Sequence, residues 1–294
     1  MNTLSPAPFA PASPEALDAL RSHPHFAAAM RASSAGMLEM YRGSRLLNWL
    51  IDDRGQLLFS YYTLYLHFTP DDGGLSPTRL KTICKDLDIC SAGRAAAMLH
   101  LMRRARYIES DTNVADRRRR QLLATPAFIE MFRQRWRLHF AAMAPLFSDG
   151  EDLRYALEDP AFFRTFVMTM ESVFRGGFRF TTDPQLRRVV DRNAGIMIMA
   201  SLIAGGAADD TVPPSRPVPL SVSALAKRFS VSRAHVVGLL DDAASAELLT
   251  RSQAEQTYVT VLPRLAHELQ NFFAQLFLCF SACARVALKV TAAE

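Results

Sequence analysis

The feature that most restricts the fold is an internal repeat: the motifs of residues 24–126 return in the same order along residues 160–263. Pro24-His25-Phe26 is echoed by Pro160-Ala161-Phe162, and Met40-Tyr41-Arg42-Gly43 by Val173-Phe174-Arg175-Gly176. Asp53-Arg54 then matches Asp191-Arg192, each pair leading into an apolar helix, expected over 57–68 and 195–204. Both helices run into a glycine-containing loop with an acidic pair, Asp71-Asp72 or Asp209-Asp210. Past the loop, Leu87-Asp88-Ile89 lies against Phe229-Ser230-Val231, and Ser91 falls on Ser232 after a one-residue slip. The shared order of helices, loops and caps, rather than identity at any position, carries the inference. It divides the chain of 294 residues into two like halves, 1–145 and 146–294.

Within each half the pattern is mostly helical. Ser76-Pro77 is a cap followed by proline at the first helical position, which starts a helix near 77–87. After a short turn, Ser91 caps a second helix whose apolar positions Ala95, Met98, Leu99 and Met102 form one buried stripe. In the second half Ser232 caps, and Val236, Leu239, Leu240 and Ala243 form the stripe. Strand signals follow at Tyr107-Ile108 and Leu248-Leu249. A polar stretch then leads to a further extended segment, 121–124 or 257–262, which ends at Pro126 or Pro263, where a long helix opens. The expected fold is therefore mainly α with small β wings.

The stretch 91–126, with Asp116 and Arg118 in an Asp-x-Arg pattern and a return strand ending in Thr-Pro, resembles the recognition helix and wing of the MarR-type winged helix-turn-helix transcriptional regulators. Regions 56–145 and 193–289 each resemble one protomer of that family. The resemblance implies two winged helix-turn-helix domains in one chain, with helix-turn-helix units about 77–106 and 220–247 and wings about 107–125 and 248–262. It further implies a monomer acting as a pseudo-dimer, its exit helices 126–146 and 263–289 meeting near a pseudo-twofold axis. The chain departs from the family at Ala97 and Gly238, where an arginine is common, and at 251–259, where the Asp-x-Arg pattern is missing.

Charge agrees with a polyanionic partner. Residues 1–145 hold 19 Lys and Arg against 13 Asp and Glu, whereas 146–294 hold 15 against 16. The expected partner is double-stranded DNA. Arg117, Arg118, Arg119 and Arg120 sit on the first wing, with Arg118 as the residue for the minor groove and the others for phosphates. Ser76, Ser91 and the free amides after it suit phosphate, and Arg94 a guanine edge in the major groove. In the second half Ser232, Arg233 and His235 take the corresponding places, beside Lys227 and Arg228 on the preceding helix, while Asp241 and Asp242 are expected to face away from phosphate.

These readings converge on a sequence-specific transcriptional regulator with an asymmetric operator. Two alternatives stay open: a plasmid-type replication initiator, and a DNA-binding first half joined to a second half that docks RNA polymerase or another regulator. No phosphate-loop, dinucleotide, His-Glu-x-x-His or nucleophile-elbow motif is present, so no enzyme activity, cofactor or metal is expected. Cys279 and Cys283 share a helical face and read as packing; the stripe Phe162, Phe163, Phe166, Val167, Met170 and Phe174 reads as core, with an effector pocket as its other use. The apolar runs at 194–208 and 272–284 are too short or interrupted by Gln275 and Arg285, so no membrane span is expected. With four cysteines and no signal-like N-terminus, a cytoplasmic location is expected.

Overall fold

A computed structural model describes residues 12–41, 53–111, 121–177, 179, 181, 183–252 and 257–293. The chain is mainly helical, with two small antiparallel sheets among the described residues. Helices α1 (Pro14–Arg21) and α2 (Phe26–Met40) precede α3 (Arg54–His67), α4 (Pro77–Asp86) and α5 (Ala92–Arg104). Strands β1 (Ile108–Ser110) and β2 (Leu122–Ala124) lead into α6 (Pro126–Met143), which runs on into a 3-10 turn, Ala144–Leu146. Then come α7 (Gly150–Ala156), α8 (Pro160–Arg175), α9 (Pro184–Val190), α10 (Gly195–Gly205), β3 (Val218–Leu220), α11 (Val222–Phe229) and α12 (Arg233–Ser245). Strands β4 (Leu249–Arg251) and β5 (Thr257–Val261) and the helix α13 (Pro263–Thr291) complete it.

The order helix, helix, strand, strand, long helix thus occurs twice, and its punctuation is local chemistry. Ser76, Ser91, Ser221 and Ser232 each accept a hydrogen bond from the amide three residues on, satisfying one free donor of the first turn. Pro77, Pro126 and Pro263 stand at the first helical position, where a missing N–H costs nothing. Left-handed backbone closes the same helices in both halves: Asp88 and Ser230 after the first of each pair, Arg106 and Glu247 after the second. Because such a conformation costs a side-chain-bearing residue about 1–2 kcal/mol, its recurrence marks a turn imposed by packing on either side.

The sheets repeat as well. β1 pairs with β2, Ile108 opposite Ala124, and Leu75 adds a single bridge to Leu122 on the other edge. In the second sheet β5 lies between β3 and β4, with Val218 opposite Val259 and Leu249 opposite Val261. Leu75 is the reduced counterpart of β3.

The buried apolar side chains form one continuous core. α2 packs against α6 and also against α10, while α8 packs against α13 and also against α3, so each half sends a helix onto the other. α6 and α13 do meet, with Phe140 stacked on Phe280 at 6.3 Å, but each lies mainly on α2 or α8. Trp136 and Phe166, at 5.1 Å between ring centroids, join α6 to α8. The stripe Phe162, Phe163, Phe166, Val167 and Met170 is buried, as expected of core, and so are Cys279 and Cys283.

Two expectations need correction. Asp53 caps α3 directly, in a capping box with Gln56, whereas α10 begins only at Gly195, preceded by Ala194 in the left-handed region. Asp53-Arg54 and Asp191-Arg192 are thus matched in sequence but not in place. Gly195 is required here, since a Cβ would lie 1.9 Å from the Val189 carbonyl oxygen. The span expectation also changes: α13, at 29 residues, is long and apolar enough to cross a membrane by length and composition. Gln275 and Arg285 do not break it, and 56% of its apolar window is buried inside this fold.

Candidate nucleic-acid interface

The first half presents α5 with its stripe inward. Ala95, Met98, Leu99 and Met102 are buried, and the opposite side exposes Arg94, Ala96, Ala97, His100, Arg103 and Arg104. The 3.6-residue period that buries one set necessarily turns the other outward. His100, Arg103 and Arg104 belong to no motif in the sequence, although their complement, the apolar stripe, already places them outside.

A shallow hollow opens where α4 meets the start of α5, lined by Thr78, Lys81, Thr82, Lys85, Ser91 and Ala92 among others. Two ammonium groups, three hydroxyls and the amide end of a helix line it together with one carboxylate, Asp88, and the remaining positive excess suits a phosphate oxygen. Lys81 and Lys85 likewise escape a reading of the sequence, because only the tertiary placement of α4 brings them beside Ser91. Cys84 and Cys90 adjoin the hollow; burial pushes the Cys84 thiol up to about 12, which removes it as a thiolate at neutral pH.

Several of the side chains expected at DNA are already engaged. Arg94 donates from Nη2 to Asp53 Oδ2 at 2.5 Å, an exposed ion pair with the residue that caps α3. Arg228 donates to the Leu38 carbonyl at 2.6 Å, tying α11 to the end of α2. His235 donates from Nε2 to the Asn193 carbonyl at 2.8 Å. Each of the three satisfies an acceptor left at or near a helix end. Ser76, Ser91 and Ser232 act as caps, as expected, and each keeps further lone pairs for a ligand. Lys227 and Arg233 are exposed and have no hydrogen-bond or ion-pair partner among the described residues. Arg117, Arg118, Arg119 and Arg120 lie outside the described residues, as does Asp116.

The outer side of α12 has a different character. Gly238 is joined there by Asp241 and Asp242, both exposed. Asp241 pairs with Arg251 of β4 at 2.9 Å, and Asp242 with Arg192. Where the first half offers His100, Arg103 and Arg104, the second offers two carboxylates already joined to arginines. The two faces cannot present the same potential to a polyanion.

No protein-family model, curated protein or solved structure matches the chain. Among the described residues no group of three or more His, Cys, Asp or Glu is arranged to hold a metal ion.

Proposed function

We propose that this protein is a sequence-specific double-stranded DNA-binding transcriptional regulator built of two fused winged helix-turn-helix halves. The observation that carries the proposal is the pairing of the twice-repeated element order with the cationic outer side of α5, exposed opposite its buried stripe. α5 enters the major groove, and Lys81 and Lys85 hold the adjoining phosphates. The first wing, with Arg117, Arg118, Arg119 and Arg120, reaches the minor groove or the flanking backbone. The second half reads a different sequence or holds the duplex less tightly, so the operator is asymmetric.

The test is selection from random duplex DNA with the full chain, followed by salt titration. A non-palindromic site is the expected product. Arg103→Ala with Arg104→Ala should weaken binding, and the log–log salt slope should fall by about 0.9 for every phosphate that the protein no longer neutralises. Recovery of no preferred sequence, or an unchanged slope and affinity in the double variant, rejects the proposal.

A second reading is favoured by Asp241 and Asp242: the outer side of α12 docks a basic protein surface, such as that of a polymerase subunit or another regulator, while the first half alone holds DNA. Asp241→Lys with Asp242→Lys separates the two. Improved DNA affinity supports a DNA-facing α12, and unaltered affinity with loss of a protein partner supports docking.

A further inference from the structure

The chain has four lysines, Lys81, Lys85, Lys227 and Lys289, and the other 30 of its 34 basic residues are arginine. Two of the four lysines stand about one helical turn apart on α4 and line one hollow of about 580 Å³ at the junction with α5. For holding phosphate alone arginine serves at least as well, since its guanidinium offers two parallel donors. Lysine differs in one respect that bears here: its amine can give up a proton and act as a nucleophile. The cavity between the two halves makes the contrast. It has a volume of about 140 Å³ and is lined from both halves, and its cations are Arg54, Arg135, Arg179 and Arg187, which stay protonated and take up no acyl group.

The rest of the hollow suits an anion. Thr78, Lys81, Thr82 and Lys85 recur every three or four residues, so one face of α4 turns them towards the start of α5. Neither ammonium has a hydrogen bond or ion pair among the described residues, and neither threonine hydroxyl has a hydrogen-bond partner there. Thr82 differs in this from Thr63, Thr169 and Thr291, whose hydroxyls donate to the carbonyl four residues back. The Ser91 hydroxyl accepts the Arg94 amide and keeps its own proton for a ligand. Against the two ammonium groups stands one carboxylate in the lining, Asp88. Cys84 and Cys90 are no competing nucleophiles, because burial raises the pKa of both thiols.

We infer that this hollow is a self-acylation site, which binds an acyl phosphate through its phosphate group and passes the acyl group to Lys85 Nζ. Lys81 is half-buried and Lys85 exposed, so Lys81 holds the phosphate with Thr82 and Ser91 while the more accessible amine attacks. Lys85 first loses one proton to solvent. Its nitrogen lone pair then forms a C–N bond with the acyl carbon as the C–O bond to phosphate breaks. Phosphate leaves with that bonding pair and takes up the second amine proton, so the products are a neutral amide and inorganic phosphate. The transfer itself requires no DNA. Its consequence rests on the DNA reading: an acylated Lys85 carries no charge to set against a duplex phosphate.

Incubation of the full chain with acetyl phosphate, followed by peptide mass spectrometry, tests the inference, with the exposed Lys227 and Lys289 as internal references. Acetylation of Lys85 should run about tenfold or more faster than at either reference, a modest gain for a donor held beside the amine. Inorganic phosphate should slow the reaction at Lys85 alone. Lys81→Met should bring the Lys85 rate down to that of the references, and Lys81→Arg, which restores a cation for the phosphate, should recover it. Equal rates at Lys85, Lys227 and Lys289, a preference for Lys81, no effect of inorganic phosphate, or a Lys85 rate untouched by Lys81→Met would each overturn the inference. DNA binding separates the two readings. Selective acetylation of Lys85 that lowers the log–log salt slope by about 0.9 supports both, whereas the same acetylation with DNA binding unaltered upholds the transfer and removes Lys85 from the DNA interface.

Discussion

Lowering the pH from 7 to 5 should destabilise the protein through His139, by an amount the structure sets. The imidazole sits on α6, is 3% exposed, shares a hydrogen bond with Ser33 of α2 at 2.7 Å and lies 5.5 Å from the Phe280 ring. Burial first, and the Arg135 guanidinium second, depress its pKa from 6.5 to about 3. The unfolded chain takes up a proton near pH 6.5, whereas the folded chain refuses it until about pH 3. Stability from this group is therefore complete above pH 6.5 and is lost progressively as the pH falls towards 3. At about 1.4 kcal/mol per pH unit, the loss by pH 5 is about 2 kcal/mol. Urea unfolding of the parent and of His139→Gln at both pH values isolates it. Glutamine keeps a hydrogen-bonding group beside Ser33 and does not titrate, so any cavity cost appears equally at both pH values. His67, whose pKa is also lowered by burial, is present in both proteins and cancels. The parent should lose about 2 kcal/mol more than the variant. Parallel losses, or a folded-state imidazole titrating near 6.5 by NMR, would refute the account.

Gly195→Ala should leave little folded protein, because a Cβ at 1.9 Å from the Val189 oxygen meets backbone that cannot swing away; a melting temperature near the parent's would contradict the packing of α9 on α10. Ser91→Ala and Ser232→Ala should each cost about 1 kcal/mol of stability, read from the denaturant midpoint, the usual worth of a side-chain cap. Asp53→Asn keeps a capping oxygen but gives up the charge that holds Arg94. If Arg94 then reaches phosphate, DNA binding should tighten and the salt slope steepen by about 0.9, whereas an unchanged slope would remove Arg94 from the interface.

The local parts of this architecture could be read directly from residue order. Ser76-Pro77, Ser91 and Ser232 announce helix starts because a cap involves only its next three residues, and the stripes of α5 and α12 follow from helical period alone. What could not be read is which cations are already engaged. Arg94 finds Asp53 41 positions away, His235 finds Asn193 42 away, and Arg228 finds Leu38 190 away. No spacing rule reaches such distances. Lys81 and Lys85 beside Ser91 were hidden for the same reason, and so was the cavity, whose lining comes from both halves.

Caps, helical faces and the recurrence of one element order are properties of neighbouring residues, and the chain carries them before it folds. The crossing of α2 and α8 between halves, the engagement of three side chains expected at DNA and the cavity lined from both halves arise only once distant segments share a core. Close packing has one arrangement in which the buried aromatic and aliphatic side chains fill space, and that arrangement, rather than any local preference, sets which charges meet.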